Sequence, residues 1–208
     1  MHGKDEIKKR LRTLLNPAVS LLVRLGVSPL AVTLAGLILS FVGAFEIVRG
    51  RLLSGGLFLL IAGICDTLDG SLARRTGRES AFGAFLDSTI DRIAELASFA
   101  AVTLYFGLRW DGGPIAVLLC LIALGGSFLT SYVRARAEGL GLECRVGWLE
   151  RPERIAILVV GLLLGRRALF VAVVCLAVLT SLTVLQRIMH VRRATARNDA
   201  AAQGGSSR

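Results

Sequence analysis

The chain has 208 residues, of which 54% are hydrophobic and 19% are charged, and its mean hydropathy is +0.66. A soluble domain carries about 25% charged and about 45–50% apolar residues, so this composition indicates a membrane protein and excludes disordered and collagen-like chains. Lys and Arg outnumber Asp and Glu by 25 to 15, which gives a formal net charge of +10. Nucleic-acid-binding proteins are also basic, but the sequence lacks their interleaved basic and aromatic residues, and we expect no nucleic-acid partner.

The N-terminal segment 1–28 is the first predicted element. Between Asp5 and Leu25, apolar residues recur at helical spacing opposite basic residues, which predicts an amphipathic helix lying on the membrane surface. Within 29–190, six apolar segments approach the ~20 residues that a helix needs to cross the hydrocarbon core. The predicted spans are 30–48, 52–73, 83–108, 114–136, 152–164 and 167–190. The expected fold class is therefore an all-α membrane protein with six transmembrane helices, followed by a disordered cytoplasmic tail, 191–208.

The basic residues predict how this bundle is oriented. With a cytoplasmic N-terminus, all Lys and Arg residues except five fall on the cytoplasmic side. The five exceptions are Arg49, Arg51, Arg109, Arg166 and Arg167. Because Lys and Arg accumulate in cytoplasmic loops, we expect a multi-pass protein of the cell (plasma) membrane with both termini in the cytoplasm.

Two pairs of aspartates lie at the cytoplasmic ends of predicted spans, where ionisable residues are costly and by default mark function. Asp66 and Asp69 end the second span, and Asp87 and Asp91 open the third, so each pair shares one helix face. Consecutive helices joined by a short loop pack antiparallel, which brings the four carboxylates together. The alternative is that these aspartates cap helix ends and pair with the arginines nearby.

Four clustered carboxylates repel one another unless cations lie between them. Oxygen ligands without Cys or His favour a hard cation, Mg²⁺ or Mn²⁺, and four aspartates can hold two such ions. The four cysteines form no CxxC pair, and we expect no zinc site. Paired metal ions clamp a phosphoryl group during transfer, and Gly70 and Gly83 would let a phosphate ester approach the backbone.

The segment 66–91, DTLDGSLARRTGRESAFGAFLDSTID, fits the pattern D-x2-D-G-x2-A-R-x8-G-x3-D-x3-D. On these residues the chain resembles the CDP-alcohol phosphotransferase family. The resemblance implies a CDP-linked lipid donor such as CDP-diacylglycerol, release of CMP, a homodimer, and an active site that opens to the cytoplasm. It further implies that two divalent cations, Mg²⁺ or Mn²⁺, are bound by Asp66, Asp69, Asp87 and Asp91, with Asp91 also acting as general base. The CDP moiety would contact Gly70, Ala73 and Arg74.

A second basic cluster bears on the acceptor. Arg134 and Arg136 end the fourth span within SYVRARAE, and Arg154 opens the fifth span within ERPER. Three arginines can bind a doubly charged phosphate through forked hydrogen bonds, although arginines at span ends also serve as simple anchors. Both stretches resemble phosphatidylinositol phosphate synthases and archaetidylinositol phosphate synthases. That resemblance implies inositol phosphate as the acceptor, with glycerol 3-phosphate and serine as alternatives.

The segment 16–33, NPAVSLLVRLGVSPLAVT, is also similar to those synthases. Leu30 departs from them, because relatives commonly carry Asp or Asn there, near the nucleotide. Thr33 remains as the expected nucleotide contact from this segment.

Two other functions use similar residues. A membrane prenyltransferase also binds pyrophosphate through aspartate-bound Mg²⁺, but those chains resemble larger bundles with two separated aspartate-rich motifs. A divalent-cation transporter would need polar groups continuing across the bilayer, and metal flux into liposomes would reveal one.

Overall fold

The computed structural model describes residues 2–110, 113–144 and 146–205, with side chains described only within 13–196. All regular secondary structure in these ranges is α-helical. The helices are α1 His2–Arg24, α2 Pro29–Val48, α3 Leu52–Thr76, α4 Ala81–Arg109, α5 Gly113–Glu138, α6 Arg151–Leu164 and α7 Arg166–Gly205. They form two compact units, Met1–Val102 and Thr103–Arg208, and the boundary between the units falls inside α4.

The predicted spans correspond to α2–α7, and most helix ends lie within three residues of the prediction. The C-terminus is a correction, because α7 continues to Gly205 through most of the tail that was predicted to be disordered. This stretch contains ATARNDAAAQ, whose alanine, arginine and glutamine residues have high helix propensity, and it extends a helix that is already nucleated. Residues 206–208 lie outside the described residues.

Four helices in the described part of the chain are long and apolar enough to cross a membrane: α2, α3, α5 and α7 as far as Ala196. Two of the six predicted spans are not among them, because α6 has only 14 residues and α4 carries several charged side chains. Large apolar side chains face outward, such as Ile38 on α2 at 63% exposure and Leu53 on α3 at 60%. Such surfaces are unfavourable in water and suit hydrocarbon, so the protein is an all-helical membrane protein.

The N-terminal helix α1 is present where a helix was predicted. Half of the residues that define its amphipathic pattern, among them Lys8 and Leu11, lie outside the described side chains. Its later turns are anchored in the first unit, where Val19, Val32 and Leu72 form an apolar cluster with 7% exposure or less.

In the first unit, α2 packs against α3 through small residues. A Cβ added to Gly55 would lie 2.5 Å from Cγ1 of Ile47 and 3.0 Å from the carbonyl oxygen of Gly43. Nearer the other end of the pair, a Cβ on Gly36 would lie 3.2 Å from the Cβ of Cys65. The two helix backbones can approach this closely only because glycine occupies these positions.

The turn between α3 and α4 begins and ends with a helix cap. Gly77 ends α3 with φ of 64°, in the left-handed region that favours glycine. The N–H of Arg78 donates to the carbonyl oxygen of Ala73 at 3.1 Å and closes that turn. Ser80 Oγ then accepts the N–H of Gly83 at 2.9 Å, as an N-cap does at the start of a helix. The first turn of α4 is thereby tied to the end of α3.

In the second unit, α5 and α6 each pack against α7. A Cβ on Gly126 of α5 would lie 2.8 Å from the Cβ of Thr180, and a Cβ on Gly161 of α6 would lie 2.7 Å from the Cβ of Ala172. Glycine therefore lets both helices lie close to α7.

Candidate functional site

Three of the four predicted aspartates converge in the first unit. Asp66 on α3 and Asp87 and Asp91 on α4 each offer a carboxylate oxygen, and these oxygens lie within 4.8 Å of one another. Asp69 follows Asp66 by one helical turn, is 4% exposed, and interacts electrostatically with Asp66 and Asp87. The i,i+4 spacing therefore places Asp87 and Asp91 on one face of α4, with both carboxylates close to that of Asp66 on α3.

The donor set fits a hard divalent cation. At metal–oxygen distances of about 2.0–2.2 Å, two oxygens on one ion lie at most about 4.4 Å apart. Because the three carboxylate oxygens are already within 4.8 Å of one another, side-chain shifts of under about an ångström would place them on one ion.

The arginines around the motif have partners outside the aspartate cluster. Arg74 Nη2 donates to Ser71 Oγ at 3.3 Å, and Arg75 donates to a serine hydroxyl of α1 at 2.8 Å. Arg92 forms an ion pair with Glu95 at 3.0 Å, and the Glu95 side chain has no exposed surface. Each of these three contacts is made to a residue other than the four aspartates.

Asp69 is linked to α2 by a hydrogen bond that spans 36 residues of sequence. Thr33 Oγ1 donates to Asp69 Oδ2 at 2.7 Å. The same hydroxyl lies 3.1 Å from the carbonyl oxygen of Pro29, one turn earlier in α2. Its single proton favours the shorter contact, which is the one to a charged acceptor.

A cavity of about 450 Å³ opens beside these carboxylates within the first unit. Its volume lies within the ~300–1,000 Å³ that is usual for small-molecule sites. Asp87 belongs both to the cavity wall and to the group of three aspartates. The wall also contains all four residues predicted to contact the nucleotide: Thr33, Gly70, Ala73 and Arg74.

The two glycines of the motif differ in their surroundings. A Cβ on Gly70 would meet only the guanidinium of Arg74, at 3.5 Å, so this position leaves the wall open. A Cβ on Gly83 would lie 2.9 Å from Oγ of Ser80, so this glycine also makes room for the cap of α4. Leu30 lines the same cavity and is 48% exposed. Sequence reasoning gave no role to four other wall residues: Arg78, Glu79, Ser80 and Phe82.

The predicted acceptor residues lie in the second unit. Arg134 and Arg136 are exposed near the end of α5, and Arg154, near the start of α6, is only 1% exposed. Arg134 Nε donates to Glu138 Oε1 at 2.8 Å, one turn along the same helix.

Arg187 of α7 is a residue to which sequence reasoning assigned no role. Its side chain is 4% exposed and donates to the carbonyl oxygens of Val146 and Thr130. It also interacts electrostatically with Arg134 and Arg154. The only sequence signal was its position within the predicted span 167–190, where an ionisable residue is costly without a function.

Comparison with known proteins gives matches that cover most of the chain. Residues 27–185 match the CDP-alcohol phosphatidyltransferase family. The chain is 39% identical over 164 residues to archaetidylinositol phosphate synthase of Methanothermobacter thermautotrophicus. The aligned residues cover 77% of this chain and 80% of that relative.

The fold is also similar to a crystal structure of Mycobacterium tuberculosis phosphatidylinositol phosphate synthase with CDP-DAG bound. The TM-score is 0.77 at 35% identity, over 84% of this chain and 92% of that chain. A crystal structure of the same enzyme in complex with manganese and citrate gives the same TM-score and identity, over 84% and 87% of the two chains. The family resemblance noted on segment 66–91 is therefore confirmed: this chain belongs to the CDP-alcohol phosphatidyltransferase family.

Proposed function

We propose that this protein transfers the phosphatidyl-type group of a CDP-linked lipid, such as CDP-diacylglycerol, to a hydroxyl of inositol phosphate and releases CMP. The reaction is a step of phospholipid biosynthesis. The observation that carries the proposal is the convergence of Asp66, Asp87 and Asp91 at a cavity lined by the rest of the family motif. The similarity to the two named synthases supports the donor and the acceptor.

The site residues divide into cation ligands and donor contacts. Two divalent cations, Mg²⁺ or Mn²⁺, are held by Asp66, Asp69, Asp87 and Asp91. When bound, the cations neutralise the pyrophosphate and stabilise the charge that develops on departing CMP. The CDP moiety contacts Gly70, Ala73 and Arg74, and the missing side chain at Gly70 lets it approach the helix backbone. Thr33, the fourth residue of the predicted nucleotide set, lies on the same cavity wall.

Asp91 is the general base. Its carboxylate accepts the proton of the acceptor hydroxyl as that oxygen forms a bond to the phosphorus that bears the lipid. The bond from this phosphorus to the oxygen that bridges the two phosphates breaks, and CMP leaves with the electron pair. A carboxylate suits both roles because it has two oxygens, one for a cation and one for the proton.

The acceptor's phosphate is bound by Arg134, Arg136 and Arg154. Guanidinium groups donate forked hydrogen bonds that match a phosphate, and Arg134 and Arg136 are exposed near the end of α5. The electrostatic interaction of Arg134 and Arg154 with Arg187 supports a concentration of positive charge suited to an anionic acceptor.

The proposed topology has six spans, α2–α7, with α1 on the membrane surface and both termini and the active site in the cytoplasm. The 14 residues of α6 rise about 21 Å, which is less than the ~30 Å hydrocarbon core, so local thinning of the bilayer accompanies this helix. The protein acts in the cell membrane as a homodimer.

The test uses purified full-length protein in nanodiscs with CDP-diacylglycerol and Mg²⁺ or Mn²⁺. CMP release should depend on added inositol 1-phosphate. Release that occurs with glycerol 3-phosphate or with serine, and not with inositol 1-phosphate, would refute the proposed acceptor. No CMP release with any acceptor, from protein that remains folded, would refute the transferase function.

The role of Asp91 is tested with Asp91→Asn, which keeps the size of the side chain and removes its basicity. CMP release should fall by about 10³-fold or more, because both a cation ligand and the base are lost. Glu46→Gln is the matched control, because Glu46 lies near the far end of α2, where it accepts from Arg51 and Ser54. Activity of Asp91→Asn equal to that of the control would contradict the assignment.

A further inference from the structure

We propose that Thr33 is a positioning residue for Asp69: its hydroxyl holds the Asp69 carboxylate in the orientation that cation binding requires. The inference rests on the proposed function, because it treats Asp69 as a cation ligand. It gives Thr33 a task that does not depend on the nucleotide.

The contact is set by the packing of α2 on α3. Three points of close approach run along the antiparallel pair: Thr33 with Asp69, Gly36 with Cys65, and Gly43 with Gly55. Residue numbers rise along α2 as they fall along α3, so all three contacts belong to one antiparallel packing of the two helices. The glycines hold the backbones close enough for a short threonine side chain to reach across to the neighbouring helix.

The surroundings of Asp69 make the hydrogen bond important. This carboxylate is 4% exposed, so water cannot replace a lost donor at low cost. The 2.7 Å bond from Thr33 holds Oδ2 and so limits rotation of the carboxylate group. Partners of metal ligands fix the ligand's orientation, and their loss typically weakens metal binding about 10–100-fold.

The same hydroxyl would be a weak ligand for the phosphates of a nucleotide. Thr33 lines the cavity, but its one proton is donated to Asp69, so toward the cavity it offers only lone pairs and a methyl group. The phosphates of a CDP-linked lipid are hydrogen-bond acceptors and gain little from such a group. The effect of removing the hydroxyl should therefore appear before any nucleotide is added.

The experiment measures Mn²⁺ binding to the full-length protein in detergent, without nucleotide, from the electron paramagnetic resonance signal of free Mn²⁺. Thr33→Val, which keeps the shape and removes the donor, should raise the dissociation constant about 10–100-fold. Thr33→Ser restores the hydroxyl and should bind Mn²⁺ within about threefold of the wild-type protein. The matched control is Thr76→Val, because the Thr76 hydroxyl bonds only to backbone carbonyls of its own helix.

Three outcomes would overturn the proposal. Mn²⁺ affinity of Thr33→Val equal to that of Thr76→Val, with an increased KM for CDP-diacylglycerol, would make Thr33 a nucleotide contact instead. Equal loss in Thr33→Val and Thr33→Ser would show that packing matters and the hydroxyl does not. A wild-type protein that binds no Mn²⁺ would overturn the proposed function together with this inference. Should Thr33→Val fail to fold, Thr33→Ala is measured in its place with the same expected loss.

Discussion

Gly125 and Gly126 are neighbours in α5, but they have different surroundings. A Cβ on Gly125 would meet nothing within 4 Å, whereas a Cβ on Gly126 would lie 2.8 Å from the Cβ of Thr180 on α7. Thr180 has no exposed surface. Because its Cβ does not move when the side chain rotates, no change of rotamer can relieve the overlap. Substitution by alanine should therefore be tolerated at Gly125 and harmful at Gly126.

The size of the effect follows from this contact. Both substitutions gain the same helix propensity, about 1 kcal/mol, so their difference isolates the packing of α5 on α7. Optimal separation between carbon atoms is about 3.5–4.0 Å, so a 2.8 Å contact requires a relative shift of about 1 Å. Overpacking of this kind costs about 1–3 kcal/mol. We expect Gly126→Ala to have a free energy of unfolding about 2 kcal/mol lower than that of Gly125→Ala.

Thermal unfolding followed by tryptophan fluorescence measures this difference. The only two tryptophans, Trp110 and Trp148, both belong to the second unit. The Trp110 ring lies 4.8 Å from that of Phe106 and 4.7 Å from that of Phe170, so its emission should change when the unit opens. About 2 kcal/mol corresponds to roughly 4–8 °C for a chain of this size. A Tm of Gly126→Ala at or above that of Gly125→Ala would refute the packing argument.

Two further substitutions probe the cavity and the buried arginine. Gly70→Ala should raise the Tm slightly, because alanine has the higher helix propensity and its methyl group meets only the flexible end of Arg74. It should raise the KM for CDP-diacylglycerol about tenfold by occupying space at the pyrophosphate. CMP release at varied lipid concentration measures this, and an unchanged KM contradicts it. Arg187→Met should lower the free energy of unfolding by about 2 kcal/mol or more, since the carbonyl oxygens of Val146 and Thr130 lose their donor. The fluorescence melt applies again, and a wild-type Tm would show that these bonds contribute nothing.

Features of the site that depend on the periodicity of a single helix were predictable from the sequence. The spacing between Asp87 and Asp91 is one helical turn, so any helix through both residues presents them on one face. The apolar runs likewise predicted α2–α7, because a helix that faces hydrocarbon must stay apolar over its length. These conclusions depend only on local periodicity.

Features that depend on tertiary register were not predictable. The bond from Thr33 to Asp69 depends on how α2 is aligned along α3, and no local pattern specifies that alignment. The role of Arg187 was missed for the same reason, because its acceptors, Val146 and Thr130, lie 41 and 57 residues away. The helix after residue 190 was missed because its composition is polar, although its helix propensity is high.

The paired caps between α3 and α4 restrict which insertions the protein can accept. Only Arg78 and Glu79 lie between the cap at Gly77 and the cap at Ser80. This connection is too short to compensate for a rotation of α4 about its axis. Each residue added inside the first turns of α4 rotates everything after it by about 100°, because a helix has 3.6 residues per turn. One such insertion before Asp87 would turn both α4 aspartates away from α3. The interval between Arg74 and Gly83 can therefore vary in composition much more freely than in length.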